Sequence, residues 1–168
     1  SHKVISLEKI EKCNFSSFSG IIISGAPILL TKVAPQKYLT LFKFIKTVDV
    51  PVLGICFGHQ ILGLLYGSKI RAGKHIAKKE KIEIVKSEDL FLNLESPALF
   101  QEDHSEFITL PKEFHLLARS KSCKNEAMKH KHKPIYGVQF HPEVSGSNGK
   151  LLLKNFLKMC SGVRVRIT

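Results

Sequence analysis

Apolar positions along the chain form short unbroken runs, separated by stretches that repeat with a helical period. Ile21-Ile22-Ile23 ends at Ser24-Gly25-Ala26-Pro27, the pattern of a buried strand running into a loop. From Pro35 to Val48 the residues Leu39, Phe42, Ile45 and Val48 recur at helical spacing, and Pro51 stops the segment. Val50 to Ile55 predicts a second buried strand. Gly58 to Tyr66 predicts a helix, with Gly67 as its C-terminal cap. Ile82, Ile84 and Leu90 to Leu94 predict shorter strands; Phe114 to Ala118 and Ile135 to Phe140 predict two more. Ser147 to Cys160, with Leu151, Leu152, Asn155, Phe156 and Met159, predicts a closing helix.

Strands that alternate with helices predict an α/β domain with a mostly parallel central sheet flanked by helices. Chemistry in such sheets collects at the carboxyl ends of the strands. Three segments fall at such ends: Ser24 to Pro27, Cys56 to Gln60, and His141 to Glu143. No internal repeat or linker divides the 168 residues, so residues 1–168 read as one domain with one sizeable core.

The second of these segments carries a nucleophile pattern. Gly54 and Gly58 lie two residues either side of Cys56, giving strand, sharp turn and helix, with cysteine where a nucleophile elbow has serine. The tight turn and the close approach of neighbouring backbone call for glycine. The sulfur falls at a helix N-terminus, where the dipole and free N–H groups favour thiolate. The N–H of Phe57 points to where a tetrahedral oxyanion would form. A small buried cysteine in a glycine turn would leave the same pattern, so this motif alone does not decide. The third segment adds the missing parts. A strand delivers His141 to its end, Pro142 stops further pairing, and Glu143 can hold the imidazole in the right tautomer. A lone histidine at a strand end is usually structural. A cysteine turn followed by His-Pro-Glu is far more specific, because thiolate, base and orienter are what covalent catalysis needs.

Composition narrows the class. The 43% hydrophobic content is that of a globular protein. No apolar run has the length of a membrane span, and the N-terminus lacks the apolar core of a secretory signal, so a cytoplasmic protein without membrane contact is expected. Cys13, Cys56, Cys123 and Cys160 are scattered without a Cys-x-x-Cys pair, which fits a reducing compartment and no zinc site. His130 and His132 read as a solvated loop rather than metal ligands. The net charge of +12 raises a nucleic-acid reading. Yet only four of the 26 basic residues are arginine (Arg71, Arg119, Arg164 and Arg166), and no aromatics interleave with the lysine clusters. A solvated surface, or one that meets an acidic partner, fits better than nucleic acid.

GICFGHQ (54–60) and GVQFHPEV (137–144) resemble the two signature motifs of class I glutamine amidotransferases, and the resemblance runs from about Gly20 to Leu157. Residues 103–120 resemble the glutaminase segment of GMP synthetases that precedes the final strand. Residues 126–137 and Pro142-Glu143-Val144 are most similar to the separate glutaminase subunit of two-subunit, archaeal-type GMP synthetases. The resemblance implies a flavodoxin-like three-layer fold and hydrolysis of L-glutamine to L-glutamate and ammonia. It implies Cys56 as nucleophile, His141 as base, Glu143 as orienter, backbone N–H groups of Phe57 and Ala26 as oxyanion hole, and Gly25 and Gln60 as glutamine contacts. No cofactor is implied for this chain; ATP and magnesium would belong to a synthetase (ATP pyrophosphatase) partner that aminates xanthosine monophosphate.

The chain departs from the family pattern in places. Gly25-Ala26-Pro27 stands where the family usually has Gly-Gly-Pro; alanine keeps the N–H but narrows φ, which counts against a preformed oxyanion hole. The glutamine-site loop, often Ser-His-Gly-Asp, is Asp103-His104-Ser105-Glu106. The family also begins with a strand and helix before the segment resembling Lys3 to Ile10, so about 25 residues are expected to be lacking relative to the usual domain size. Two rival readings stay open: a stand-alone amide or γ-glutamyl hydrolase of the same fold, and a catalytically weak interaction subunit.

Overall fold

The computed structural model describes residues 2–87 and 89–161; Arg164 and Arg166 lie outside them. One seven-stranded sheet organises the described residues. Its strands are β1 (Ile21–Ile23), β2 (Val52–Ile55), β3 (Ile70–Ile84), β4 (Ala98–Ile108), β5 (Phe114–Arg119), β6 (Ala127–His130) and β7 (Ile135–Val138), in the order β1-β2-β7-β6-β5-β3-β4. β1, β2 and β7 run parallel. The other four pairings are antiparallel. The α/β class holds, with the parallel part confined to the strands that carry the motifs. The short β5–β6 and β6–β7 connections account for two of the antiparallel pairings, since they can join only antiparallel neighbours.

The helices are α1 (Gln36–Phe42), α2 (Phe57–Leu65) and α3 (Gly146–Cys160). β2 is buried along its whole length, which is why its sequence is apolar without alternation. Its side chains still alternate between faces. Val52 packs with Phe57, Ile61 and Met128 on the face of α1 and α2, while Leu53 packs with Phe100, Phe140 and Phe156 on the face of α3. The result is the expected three-layer arrangement. Ile23 pairs with Gly54, and Ile55 with Val138, so β1, β2 and β7 end at one edge of the sheet. Ser24, Cys56 and His141 all follow closely from that edge.

Several local expectations are corrected. Leu90 to Leu94 is not a strand. Asp89 (φ 47°) and Asn93 (φ 63°) take left-handed backbone conformations that bracket a 3-10 turn at Asp89–Phe91. Leu90 and Phe91 are fully buried there, and the Asn155 amide of α3 donates to the carbonyls of Leu90 and Leu92. Residues 103–106 are not a loop but the middle of β4, paired with β3 around an irregularity between Ala72 and Ile76. Ile82 and Ile84 are the end of the 15-residue β3 rather than a short strand of their own. The helix expected from Pro35 to Val48 is α-helical only over α1 and tightens to 3-10 at Lys43–Lys46. His130 is not solvated: it ends β6, buried edge-on against Tyr66 and Phe114, and its Nδ1 accepts the N–H groups of His132 and Lys133. Gly67 does cap α2, at φ 85°.

Candidate active site

The turn from β2 into α2 is built around strain and close contact. Cys56 has φ 49° and ψ −101°, a sparsely populated conformation for a side chain with a Cβ, costing about 1–3 kcal/mol. It persists because the surroundings leave no alternative. The Cys56 N–H donates to the Val138 carbonyl at 2.9 Å, and its carbonyl accepts from the Gln60 N–H at 3.0 Å. Both flanking glycines are required. A Cβ on Gly54 would lie 2.5 Å from the Gly58 carbonyl carbon, and one on Gly58 would lie 2.2 Å from the Ile23 carbonyl oxygen. The sulfur is thereby presented at the N-terminus of α2, as the glycine spacing predicts.

His141 and Glu143 meet this sulfur. His141 is anchored by its N–H to the Gln101 carbonyl at 2.8 Å, and its Nδ1 pairs with Glu143 Oε1 at 2.7 Å. Its Nε2 is buried and makes no conventional hydrogen bond. The Cys56 thiol beside the ring, then Glu143, push the His141 pKa up to about 10 against the opposing effect of burial. For Glu143, burial works to raise the pKa, but the hydrogen bond to His141 and its charge bring the carboxyl below its usual range. Both shifts describe an imidazole held between a sulfur and a carboxylate.

A cavity of about 570 Å³ opens over this group, lined by Ser24 to Leu29, Cys56, Phe57, Gln60, His75, residues 103–106, His141 and Glu143. That volume is in the range of small-molecule sites. All seven residues singled out from the sequence (Gly25, Ala26, Cys56, Phe57, Gln60, His141 and Glu143) therefore border one space. Gly25 lets the β1 loop approach: a Cβ there would be 3.1 Å from His141 Cε1 and 3.7 Å from Cys56 Cβ. Neither Gly25 nor Ala26 takes positive φ, so the alanine methyl introduces no left-handed strain in this conformation. Among the described residues, no group of His, Cys, Asp and Glu is arranged to hold a metal ion.

The structure also supplies residues that sequence reasoning did not single out for these roles. Glu106 reaches across from β4 and accepts the N–H groups of Leu30 and Thr31 at 2.8 and 2.6 Å, tying down the chain beyond Ala26. His75 and Asp103 pair at 2.7 Å at the exposed rim. Gln139, fully buried, donates to Cys56 Sγ at 3.5 Å. Gln139 was legible as part of the GVQFHPEV motif, but nothing in the spacing showed where its amide would point.

Behind the site lies a buried acidic pair. Glu102 and Glu126 are fully buried and interact through their side chains, with Glu102 Oε2 3.2 Å from His104 Nε2 and the Ser120 hydroxyl donating to Glu126 at 2.6 Å. Burial raises the pKa of both carboxyls well above the usual range, and burial lowers that of His104. Two like charges in contact resist ionising together, so the pair keeps a proton at neutral pH. In the unfolded chain these carboxyls ionise near about pH 4. Above that pH the folded state binds more protons than the unfolded state, so this pair makes stability fall as pH rises until the folded pair itself ionises. Glu102→Gln keeps the shape and removes the Glu102 share of this slope, about 1.4 kcal/mol per pH unit at most. We expect the loss of thermal stability between about pH 6 and pH 8 to be smaller in Glu102→Gln than in the parent. Equal losses in both proteins would show that the pair is not protonated as described.

Comparison with known proteins places this geometry. The family model for glutamine amidotransferase class-I matches residues 2–160. A relative from Methanocaldococcus jannaschii, named as a glutamine-hydrolyzing GMP synthase subunit, is 40% identical over 157 residues, covering 92% of this chain and 79% of its own. The protein of the same name from Pyrococcus abyssi is 41% identical over 145 residues, covering 84% and 76%. Among solved structures, a protein of Thermoplasma acidophilum assigned as the corresponding GMP synthase subunit superposes with a TM-score of 0.82 at 31% identity, over 92% of this chain and 77% of that one. A glutamine amidotransferase from Thermotoga maritima shares the fold, with a TM-score of 0.70 at 20% identity over 92% and 69%. A cysteine on a strained elbow, facing His-Pro-Glu at the end of a parallel strand, thus comes with a family match over nearly the whole described chain, and the protein belongs to the class I glutamine amidotransferases.

Proposed function

We propose that this chain hydrolyses L-glutamine to L-glutamate and supplies the ammonia to a synthetase partner that makes GMP from xanthosine monophosphate. The observation that carries the reading is the Cys56 elbow facing the His141–Glu143 pair in one cavity. The names of relatives about 40% identical, glutamine-hydrolyzing GMP synthase subunits, support GMP synthesis as the use of the ammonia. In this mechanism the Cys56 sulfur attacks the side-chain amide carbon while His141 holds the thiol proton. Backbone N–H groups of Phe57 and Ala26 receive the oxyanion. The C–N bond breaks as His141 protonates the leaving nitrogen, and ammonia departs. Water, deprotonated by His141, then opens the thioester to give glutamate. Glu143 keeps the ring oriented, and Gly25 and Gln60 contact the substrate. The whole described chain acts as one domain. ATP and magnesium belong to the ATP-pyrophosphatase partner.

The partner reading has its own support. Lys74, Lys78, Lys79 and Lys81 are exposed on β3, which also carries His75 to the cavity rim. A basic arm beside the cavity suits an acidic docking surface and speeds association at low salt. The test is ammonia release from the isolated chain, with and without a two-subunit-type synthetase and its nucleotide substrates, at several salt concentrations. We expect low activity alone and a rise of roughly 10²–10³ with the partner, the gain an aligned oxyanion donor can supply. High salt should weaken that rise. Full activity alone, unchanged by any synthetase, would favour a stand-alone hydrolase; a folded chain silent under all conditions would favour an interaction subunit.

A further inference from the structure

We infer that Gln139 is the hydrogen-bond donor that holds the Cys56 sulfur in its anionic form, and that Gln60 sets the orientation in which it does so. An amide can be turned end for end, so its direction has to follow from its neighbours. The Glu106 carbonyl can only accept, and Gln60 Nε2 donates to it at 3.3 Å. The same Nε2 lies 3.3 Å from the Gln139 amide, which must therefore present its oxygen, Oε1, on that side. Nε2 of Gln139 is then the end left facing Cys56 Sγ, at 3.5 Å. Gln139 is fully buried, so water does not compete readily for its amide, and its backbone N–H is held by the Glu126 carbonyl at 2.8 Å.

A fixed N–H donor discriminates between the two forms of the sulfur. A thiol offers it only a weak acceptor, whereas a thiolate receives a charge-assisted bond. The thiol proton has a separate acceptor, the Asp103 carbonyl at 3.8 Å. Loss of that proton therefore forfeits one weak contact and strengthens the bond from Gln139. The titratable groups that line the cavity with the sulfur are His141 and Glu143 beyond β7, Asp103, His104 and Glu106 on β4, and His75 on β3, while His59 of α2 is buried against Gly137. Glu102 and Glu126 lie behind, on the side of the Gln139 backbone. Gln139 itself carries no charge, so its replacement tests a hydrogen bond without removing a titratable group. The inference rests on the proposed role of Cys56 as nucleophile; because Gln60 borders the cavity, a ligand that engages it would act on the same chain of bonds.

The experiment is alkylation by iodoacetamide from about pH 6 to pH 10, read at Cys56 by peptide mass mapping, with thermal unfolding to check the fold. Burial pushes the Cys123 and Cys160 thiols up, which limits competing reaction at acidic pH. We expect Gln139→Leu to label Cys56 about tenfold more slowly at the acidic end and to converge with the parent at the alkaline end. Gln139→Glu should be slower still, since its carboxylate opposes the thiolate. Gln60→Leu should fall between parent and Gln139→Leu, because the Gln139 amide is then free to turn. A Gln139→Leu profile that overlays the parent, or that is slowed equally at every pH, would overturn the inference. Should neither Gln139 variant fold, a Gln60→Leu profile identical to the parent would do so. The readout needs no turnover, so a chain without glutaminase activity would sink the proposed function and leave this inference to its own result.

Discussion

Cys56→Ala and His141→Ala should each bring ammonia release down to background, a fall of roughly 10⁴-fold or more, and the double variant should be little worse than either. In the proposed mechanism the sulfur and imidazole work as one unit: without the base the thiol proton has nowhere productive to go, and without the thiol there is no bond to make. Glu143→Gln should lose less. The amide cannot support an imidazolium as the carboxylate at 2.7 Å does, yet it still fills the space beside Nδ1. Glutamate formation in the presence of the synthetase measures all four, with circular dichroism to show that each is folded. Near-normal hydrolysis by His141→Ala would contradict the mechanism outright.

Gly58→Ala should destabilise the fold by about 3 kcal/mol or more, with activity lost even where the chain still folds. The added methyl would be placed 2.2 Å from the Ile23 carbonyl oxygen and 2.9 Å from Ile23 Cβ. Neither is the end of a flexible side chain, so relief has to come from moving α2 away from β1. That shift would carry Phe57 and the sulfur away from the Ala26 loop. Gly67→Ala is the natural control. It meets open space but has φ 85°, so it should cost only about 1 kcal/mol and spare the site. Denaturant unfolding of the two variants checks the contrast, and equal losses would remove the packing argument.

The placement of the elbow and of the strand-end histidine was legible before any coordinates, because both are local patterns. Gly54, Cys56 and Gly58 announce a turn that only certain backbone angles can make, and His141-Pro142-Glu143 announces a strand that stops. The long β3–β4 hairpin was less legible. Its outer positions are polar at nearly every residue, and its pairing is interrupted between Ala72 and Ile76, so neither strand shows clean alternation throughout. Asp89 and Asn93 defeated the strand expected near Leu90, since apolar residues that pack under α3 look alike whether extended or turned.

The sequence by itself determined the α/β class and marked Cys56, His141 and Glu143 as the candidate nucleophile, base and orienter, since each pattern depends on backbone geometry within a few residues. Tertiary structure decided the rest, through contacts between residues far apart in the chain. It brought Glu106 to the N–H groups of Leu30 and Thr31, and it put Glu102 against Glu126 in a space too dry for two charges. It also turned the Gln139 amide toward the sulfur through Gln60 and the Glu106 carbonyl. A side chain's hydrogen-bond direction is set by which donors and acceptors surround it after folding, and no local pattern in the sequence encodes that.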